Sequence, residues 1–220
     1  MLYKYLIYMT KKIGALFDLD GVLVDTEGIY TEFWHGIDCL FPTGVENFEY
    51  VIKGNTLDAI LSKYFPDKAI QTKIVELLDE HQSTMKYDYF DGVEQFLDTL
   101  HEDGIPMAVV TSSDHRKMES LYKSLPGFKT RFDAIITAAD VTRSKPDPQG
   151  YLLGAEAIGV DPERCVVFED SFSGLRAGRN AGAKVVGIAT TQSFELVAEL
   201  ADITVNTLAD ITLEQIKELF

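Results

Sequence analysis

Phe17-Asp18-Leu19-Asp20-Gly21-Val22-Leu23-Val24-Asp25-Thr26 is the stretch that decides the fold, because an apolar run of Ile13, Ala15, Leu16 and Phe17 ends abruptly in two carboxylates. Residues two apart on a strand share a face, so Asp18 and Asp20 repel each other unless a cation or a reaction needs both. Stability alone gives no reason for such an ending. A function is suggested within the first 26 residues.

The pattern recurs downstream. Met107-Ala108-Val109-Val110 runs into Thr111-Ser112-Ser113, and Cys165-Val166-Val167-Phe168 runs into Glu169-Asp170. Open parallel sheets place their ligand sites at the carboxyl edge of the strands. From Asp91 onward strands and helices alternate in the βαβ manner, which argues for a parallel sheet covered on both faces. Asp91 and Glu94 suggest a capping box, with Val93, Phe96, Leu97 and Leu100 as the buried stripe and Gly104 as the stop. Further helices are expected from Asp114 to Ser124 and from Asp147-Pro148 to Gly159, and further strands over Ala134 to Thr137 and Val185 to Ile188.

The segment 27–88 reads differently. It lacks short β-branched runs and shows helical spacing at Ile70, Ile74, Leu77, Leu78 and Met85, a stripe read as core. Pro42-Thr43-Gly44, Gly54 and Asn55 break it into several short helices. An all-helical insertion in an α/β chain is the expectation.

Taken in order, Asp18-Leu19-Asp20-Gly21-Val22, Thr111, Lys145 in Ser144-Lys145-Pro146-Asp147-Pro148, and Glu169-Asp170 resemble the four motifs of the haloacid dehalogenase (HAD) superfamily. The most similar branch is that of the β-phosphoglucomutase-like phosphatases, and the match runs from about Lys12 to about Thr190. The resemblance implies a HAD-like Rossmannoid core over residues 1–26 and 89–220, with an α-helical cap over 27–88. It also implies a phosphatase that forms an aspartyl-phosphate, with Asp18 as nucleophile and Asp20 as general acid and base. For Mg²⁺ it implies carboxylate oxygens from Asp18 and Asp170, the backbone carbonyl of Asp20, and Glu169 directly or through water.

These roles suit the residue types. A carboxylate can attack phosphorus and divide one hard step into two, and a second carboxyl can give and take the proton of the leaving oxygen. Four acidic groups at one edge call for a hard cation with oxygen ligands, and Mg²⁺ fits. Thr111 closes a strand before a helix, so its hydroxyl and the following Ser112 can hold phosphate oxygens. Lys145, in a loop stiffened by two prolines, can neutralise charge on the phosphoryl group. Asp25 and Thr26 are read as shaping the loop into the cap, without a chemical role. Lys53 and Asn55, with Tyr30 and Trp34, are candidates for substrate contact from the cap.

Composition narrows the partners. Acidic residues outnumber basic ones, 35 to 20, for a net charge of −15 over 220 residues. Such a surface repels nucleic acid and anionic membranes, so a small anionic metabolite must be drawn in by local positive charge. Cys39 and Cys165 are too few for a disulfide framework, and the cytoplasm is the expected compartment. The apolar opening over residues 1–9 is followed by Lys11 and Lys12 without a cleavage pattern, and is read as a frayed leader or upstream start, with a signal peptide as the alternative. No run approaches the roughly 18 apolar residues of a membrane span. A monomer is the default expectation.

Phosphomutases of the branch carry a histidine soon after the first motif and an arginine in the Lys-Gly loop of the cap. The corresponding residues here are Tyr30 and Leu57, the loop reading Lys53-Gly54-Asn55-Thr56-Leu57. Loss of the arginine removes a bidentate clamp for a second phosphate, so hydrolysis of a small phosphorylated metabolite, a sugar phosphate above all, is favoured over a mutase. Inorganic pyrophosphatase stays open, as does, from another class, a catalytically silent sugar-phosphate binding protein.

Overall fold

The computed structural model describes residues 12–220; the reading of the opening nine residues lies outside them. β1 (Gly14–Phe17) is buried throughout. Its chain leads into four helices, α1 (Glu27–Leu40), α2 (Phe48–Val51), α3 (Leu57–Tyr64) and α4 (Lys68–Thr84). Next come α5 (Val93–Glu102), β2 (Met107–Val110), α6 (His115–Ser124), β3 (Ala134–Ile136) and α7 (Gln149–Ala157). β4 (Cys165–Glu169), α8 (Phe172–Asn180), β5 (Lys184–Ile188), α9 (Phe194–Ala198), β6 (Ile203–Val205) and α10 (Leu213–Lys217) complete the order.

The strands form one parallel sheet in the order β3-β2-β1-β4-β5-β6. β1 is therefore central, with Phe17 in register with both Val109 and Phe168. Alternation along β1 sends Ala15 and Phe17 into one apolar cluster with Phe96 and Phe168, and Leu16 into the opposite one with Tyr151 and Ala155. Phe17 and Phe168 stack at 4.6 Å between ring centres. Burial on both faces explains why these strands read as continuous apolar runs.

The four helices after β1 have an apolar cluster of their own, in which Phe48 meets Trp34, Tyr64 and Phe65 edge to face. Ile74 and Leu78 are buried, and Ile70 and Leu77 pack at the cluster's edge. Met85 departs from the expected stripe: it caps α4 in extended conformation and packs on the sheet's cluster. The two crossing segments pair with each other, through a Val24–Tyr89 bridge and an Asp25 N–H donated to Asp88 O at 3.2 Å.

Two boundaries move for local reasons. Asp91 does not cap α5; a tight turn closed by Val93 N–H on Phe90 O at 3.2 Å places Gly92 at the cap, with no side-chain bond. Pro148 occupies the cap of α7, and Asp147 Oδ1 accepts from Gln149 N–H at 3.0 Å. Among the described residues no helix is long and apolar enough to cross a membrane.

Candidate active site

Because β1, β2 and β4 are in register, the residues just past their ends emerge together. Asp18 N–H donates to Phe168 O at 3.0 Å, which fixes Asp18 against the end of β4. Thr111 N–H donates to Ile136 O at 2.9 Å, fixing it at the end of β2. Asp18, Glu169 and Asp170 each bring a carboxylate oxygen within 4.8 Å of the others.

Lys145 reaches into this cluster. Its Nζ lies 2.5 Å from Asp18 Oδ1, 2.5 Å from Glu169 Oε1 and 3.2 Å from Val110 O. Burial alone would lower the ammonium's affinity for its proton, but Asp18 and Glu169 outweigh it and hold Lys145 charged. Burial lifts the Asp18 carboxyl to about 7 against the pull of Lys145, and Glu169 and Asp20 add to the rise. With the Asp18 carboxyl lifted in this way, one lysine leaves the cluster of three carboxylates short of positive charge.

Glu169 is fully buried and its two oxygens are engaged. Oε1 also accepts from Tyr151 OH at 3.0 Å, while Oε2 accepts from the N–H groups of Asp170 and Ser171 and from Ser171 Oγ, each at 3.0 Å. Gly174 makes room for it: a Cβ there would stand 1.6 Å from Glu169 Oε1. Asp170 accepts from Thr191 Oγ1.

Asp20 sits at the rim. Thr26 Oγ1 donates to its Oδ1, and Ser113 Oγ and Lys117 Nζ donate to its Oδ2 at 3.2 and 2.5 Å. Thr111 Oγ1 donates to Ser113 Oγ at 2.9 Å and accepts from Ser113 N–H at 3.0 Å, so one hydroxyl network joins the β2 end to Asp20.

These groups open into a cavity of about 130 Å³. Its far wall is Tyr30, Trp34, Ile52, Leu57, Ile60 and Leu78, so a polar end faces a largely apolar one. Ser112, Lys53 and Asn55 also line it, with other contacts in hand. Ser112 Oγ donates to Gly54 O at 2.9 Å, and Asn55 Nδ2 donates to Ile52 O at 2.9 Å. Lys53 lies 5.1 Å from the Tyr50 ring centre, and its carbonyl accepts from Ser173 Oγ at 2.8 Å. The loop at Gly54 is thus fastened to the sheet edge by two serine hydroxyls. Gly54 has φ +76° and a Cβ there would meet Ser173 Oγ at 2.1 Å, so only glycine fits.

The sequence over residues 15–188 matches a family of known proteins, the haloacid dehalogenase-like hydrolases. The chain belongs to the haloacid dehalogenase-like hydrolase family. Validoxylamine A 7′-phosphate phosphatase of Streptomyces hygroscopicus subsp. limoneus is 30% identical over 206 residues, 90% of this chain and 94% of that one. Fructose-1-phosphate phosphatase YqaB of Escherichia coli strain K12 is 32% identical over 189 residues, 80% of this chain and 95% of that one. The fold of a hydrolase from Pseudomonas syringae superposes with a TM-score of 0.81 at 20% identity, covering 94% of this chain and 99% of that one. As a haloacid dehalogenase-like hydrolase the chain is an enzyme, and its parallel α/β sheet is the expected architecture.

Within this hydrolase, Asp18, Asp20, Thr111, Lys145, Glu169 and Asp170 come to one sheet edge, and Ser112, Lys53 and Asn55 to the cavity wall. Thr26, read from sequence as a loop former, contacts Asp20 directly. Lys117, Tyr151 and Gly174 were not singled out by sequence. For Lys117 a signal exists: it stands four residues before Leu121 on the buried face of α6.

Proposed function

We propose that this hydrolase is a Mg²⁺-dependent phosphatase of a small phosphorylated metabolite, with a sugar phosphate as its substrate class and an aspartyl-phosphate on Asp18 as its intermediate. The observation that carries the reading is a single one: Lys145 Nζ at 2.5 Å from Asp18 Oδ1, below a cavity that has Asp20 at its rim. The phosphatase names of the two relatives support it, and fructose 1-phosphate is the first substrate to try.

In the first step an Asp18 oxygen attacks phosphorus, the bond to the leaving oxygen breaks, and Asp20 gives that oxygen its proton. In the second, water attacks the same phosphorus, Asp20 takes its proton, and phosphate leaves with Asp18 restored. Lys145 neutralises charge beside Asp18 in both steps. Thr111 would hold a phosphate oxygen by turning its hydroxyl away from Ser113 Oγ.

The donor set fits Mg²⁺, being hard oxygen ligands gathered within 4.8 Å. Asp18 and Asp170 would hold the ion through carboxylate oxygens and Asp20 through its backbone carbonyl. Glu169, with both oxygens engaged, would reach it through water. When bound, Mg²⁺ supplies the positive charge that offsets the carboxylates and the phosphoryl oxygens.

We read residues 27–88 as a cap that closes over a core of 1–26 and 89–220, shutting water out and selecting the leaving group. Neither cysteine is paired, which supports a reducing, cytoplasmic setting. Hydrolysis of p-nitrophenyl phosphate and of a panel of sugar phosphates with Mg²⁺ tests the function, as does Asp18→Asn, which should keep the fold and lose turnover. An Asp18→Asn protein that turns over would remove the nucleophile assignment. Phosphorus NMR on β-glucose 1-phosphate separates free phosphate from the 6-phosphate that a mutase would make.

A further inference from the structure

Lys117 is a buried ammonium that the phosphoryl-transfer steps leave unused. It stands in the first turn of α6, where Asp114 Oδ1 accepts its N–H at 3.0 Å, and its side chain is 7% exposed. Nζ lies 2.5 Å from Asp20 Oδ2 and 4.1 Å from the centre of the Tyr30 ring. A buried ion pair is often no better for stability than apolar side chains of similar volume. Its neighbours Met118 and Leu121, on the same buried face, are such side chains. Folding gives no reason for a charge at this position, so its effect is to be sought at the group it touches.

That group is Asp20, held by donors on both oxygens. Thr26 and Tyr30 lie one turn apart at the start of α1, with Tyr30 N–H donating to Thr26 O at 3.0 Å. Lys117 thus meets the sheet edge through Asp20 and the helical segment through Tyr30. We propose that Lys117 is a positioning residue for the general acid and base: it fixes the orientation of the Asp20 carboxyl and ties it to the Tyr30 wall of the cavity. The inference rests on the phosphatase reading above. Lys117 acts through Asp20, without a covalent step of its own.

A residue that acts through the proton donor matters most where the leaving group needs a proton. Phenyl phosphate has a poorer leaving group than p-nitrophenyl phosphate, so the two esters form the test, assayed with Mg²⁺ on the full chain. Lys117→Met should lower kcat on phenyl phosphate about tenfold or more beyond its effect on p-nitrophenyl phosphate, within the range that general acid catalysis contributes. In an Asp20→Asn background the same substitution should add little, since residues acting as one unit are non-additive.

Equal losses on the two esters, or an undiminished loss in the Asp20→Asn background, would overturn the inference while leaving the phosphatase reading in place. A wild type inert toward both esters would overturn the reading and the inference with it. Should Lys117→Met not fold, Lys117→Arg, which keeps the charge and displaces the contact, is judged by the same comparison.

Discussion

Lys145 Nζ stands 2.5 Å from Asp18 Oδ1 and 2.5 Å from Glu169 Oε1, so one buried cation joins the ends of β1 and β4. Removing it strands two carboxylates in the interior. Lys145→Met in the presence of EDTA should lose about 3–5 kcal/mol, the usual cost of breaking a buried pair on one side. Urea denaturation measures it, and a loss below about 1 kcal/mol would show that the pair carries no such weight. Added Mg²⁺ should restore part of the stability and none of the turnover.

Glycine at 174 and glycine at 36 should answer in opposite ways. A Cβ at Gly174 would stand 1.6 Å from Glu169 Oε1, whereas at exposed Gly36, inside α1, it would meet nothing within 4 Å. Gly174→Ala is expected to cost about 1–3 kcal/mol by overpacking and to lower turnover with Glu169 displaced. Gly36→Ala should gain about 0.5–1 kcal/mol from helix propensity. Thermal melts of the pair decide the matter; a neutral Gly174→Ala would mean that Glu169 can sit elsewhere.

Ser173 Oγ donates to Lys53 O at 2.8 Å and so fastens the Gly54 loop. Losing a hydrogen bond worth about 1 kcal/mol should lower kcat/KM for the best sugar phosphate roughly fivefold. The melting temperature should fall by about 2–4 °C. Unchanged kinetics in Ser173→Ala would dissociate this contact from substrate binding.

The Asp18 carboxyl, lifted by burial from 3.8 to about 7, gives the metal-free protein a distinctive pH response. The folded state holds a proton that the unfolded chain has released, so this stabilisation is full below 3.8 and is lost as pH rises through about 7. In EDTA, the stability of wild type relative to Asp18→Asn should therefore fall between about pH 5 and about pH 8. Mg²⁺ needs the ionised form, so its increment to the melting temperature should be larger at the higher pH. A difference that stays flat across this range would contradict the burial effect.

What could be read from sequence follows a physical line. The strand ends were legible because apolar runs finishing in Asp18, Thr111 and Glu169-Asp170 carry both the burial and the chemistry in consecutive residues. Helical spacing found the segment after β1, yet Met85 was misplaced, because a period cannot tell which cluster the last residue of a stripe will join. Asp91 looked like a cap, but the turn from Phe90 to Val93 decided the entry to α5.

The parts of the site that were not legible are those made by tertiary encounter. Tyr151 reaches Glu169 from another element, and the room made by Gly174 shows only when the Glu169 side chain is placed. Ser112 lines the cavity, and its hydroxyl also meets the carbonyl of Gly54, a partner 58 residues away that no local pattern announces. Lys117 is the instructive omission: a cation on the same helix face as Leu121 breaks the apolar pattern, and such a break is itself a signal.

The sheet order has a consequence for how the protein comes to be made. Among the strands of the described residues β1, central in the sheet, is made before the others, and its two neighbours, β2 and β4, are separated from it by much of the chain. Pairings between segments so distant are slow to form. Until translation has passed Val110 this apolar strand has no sheet partner, and its second neighbour comes only with Glu169, so its pairing is left to late stages of synthesis.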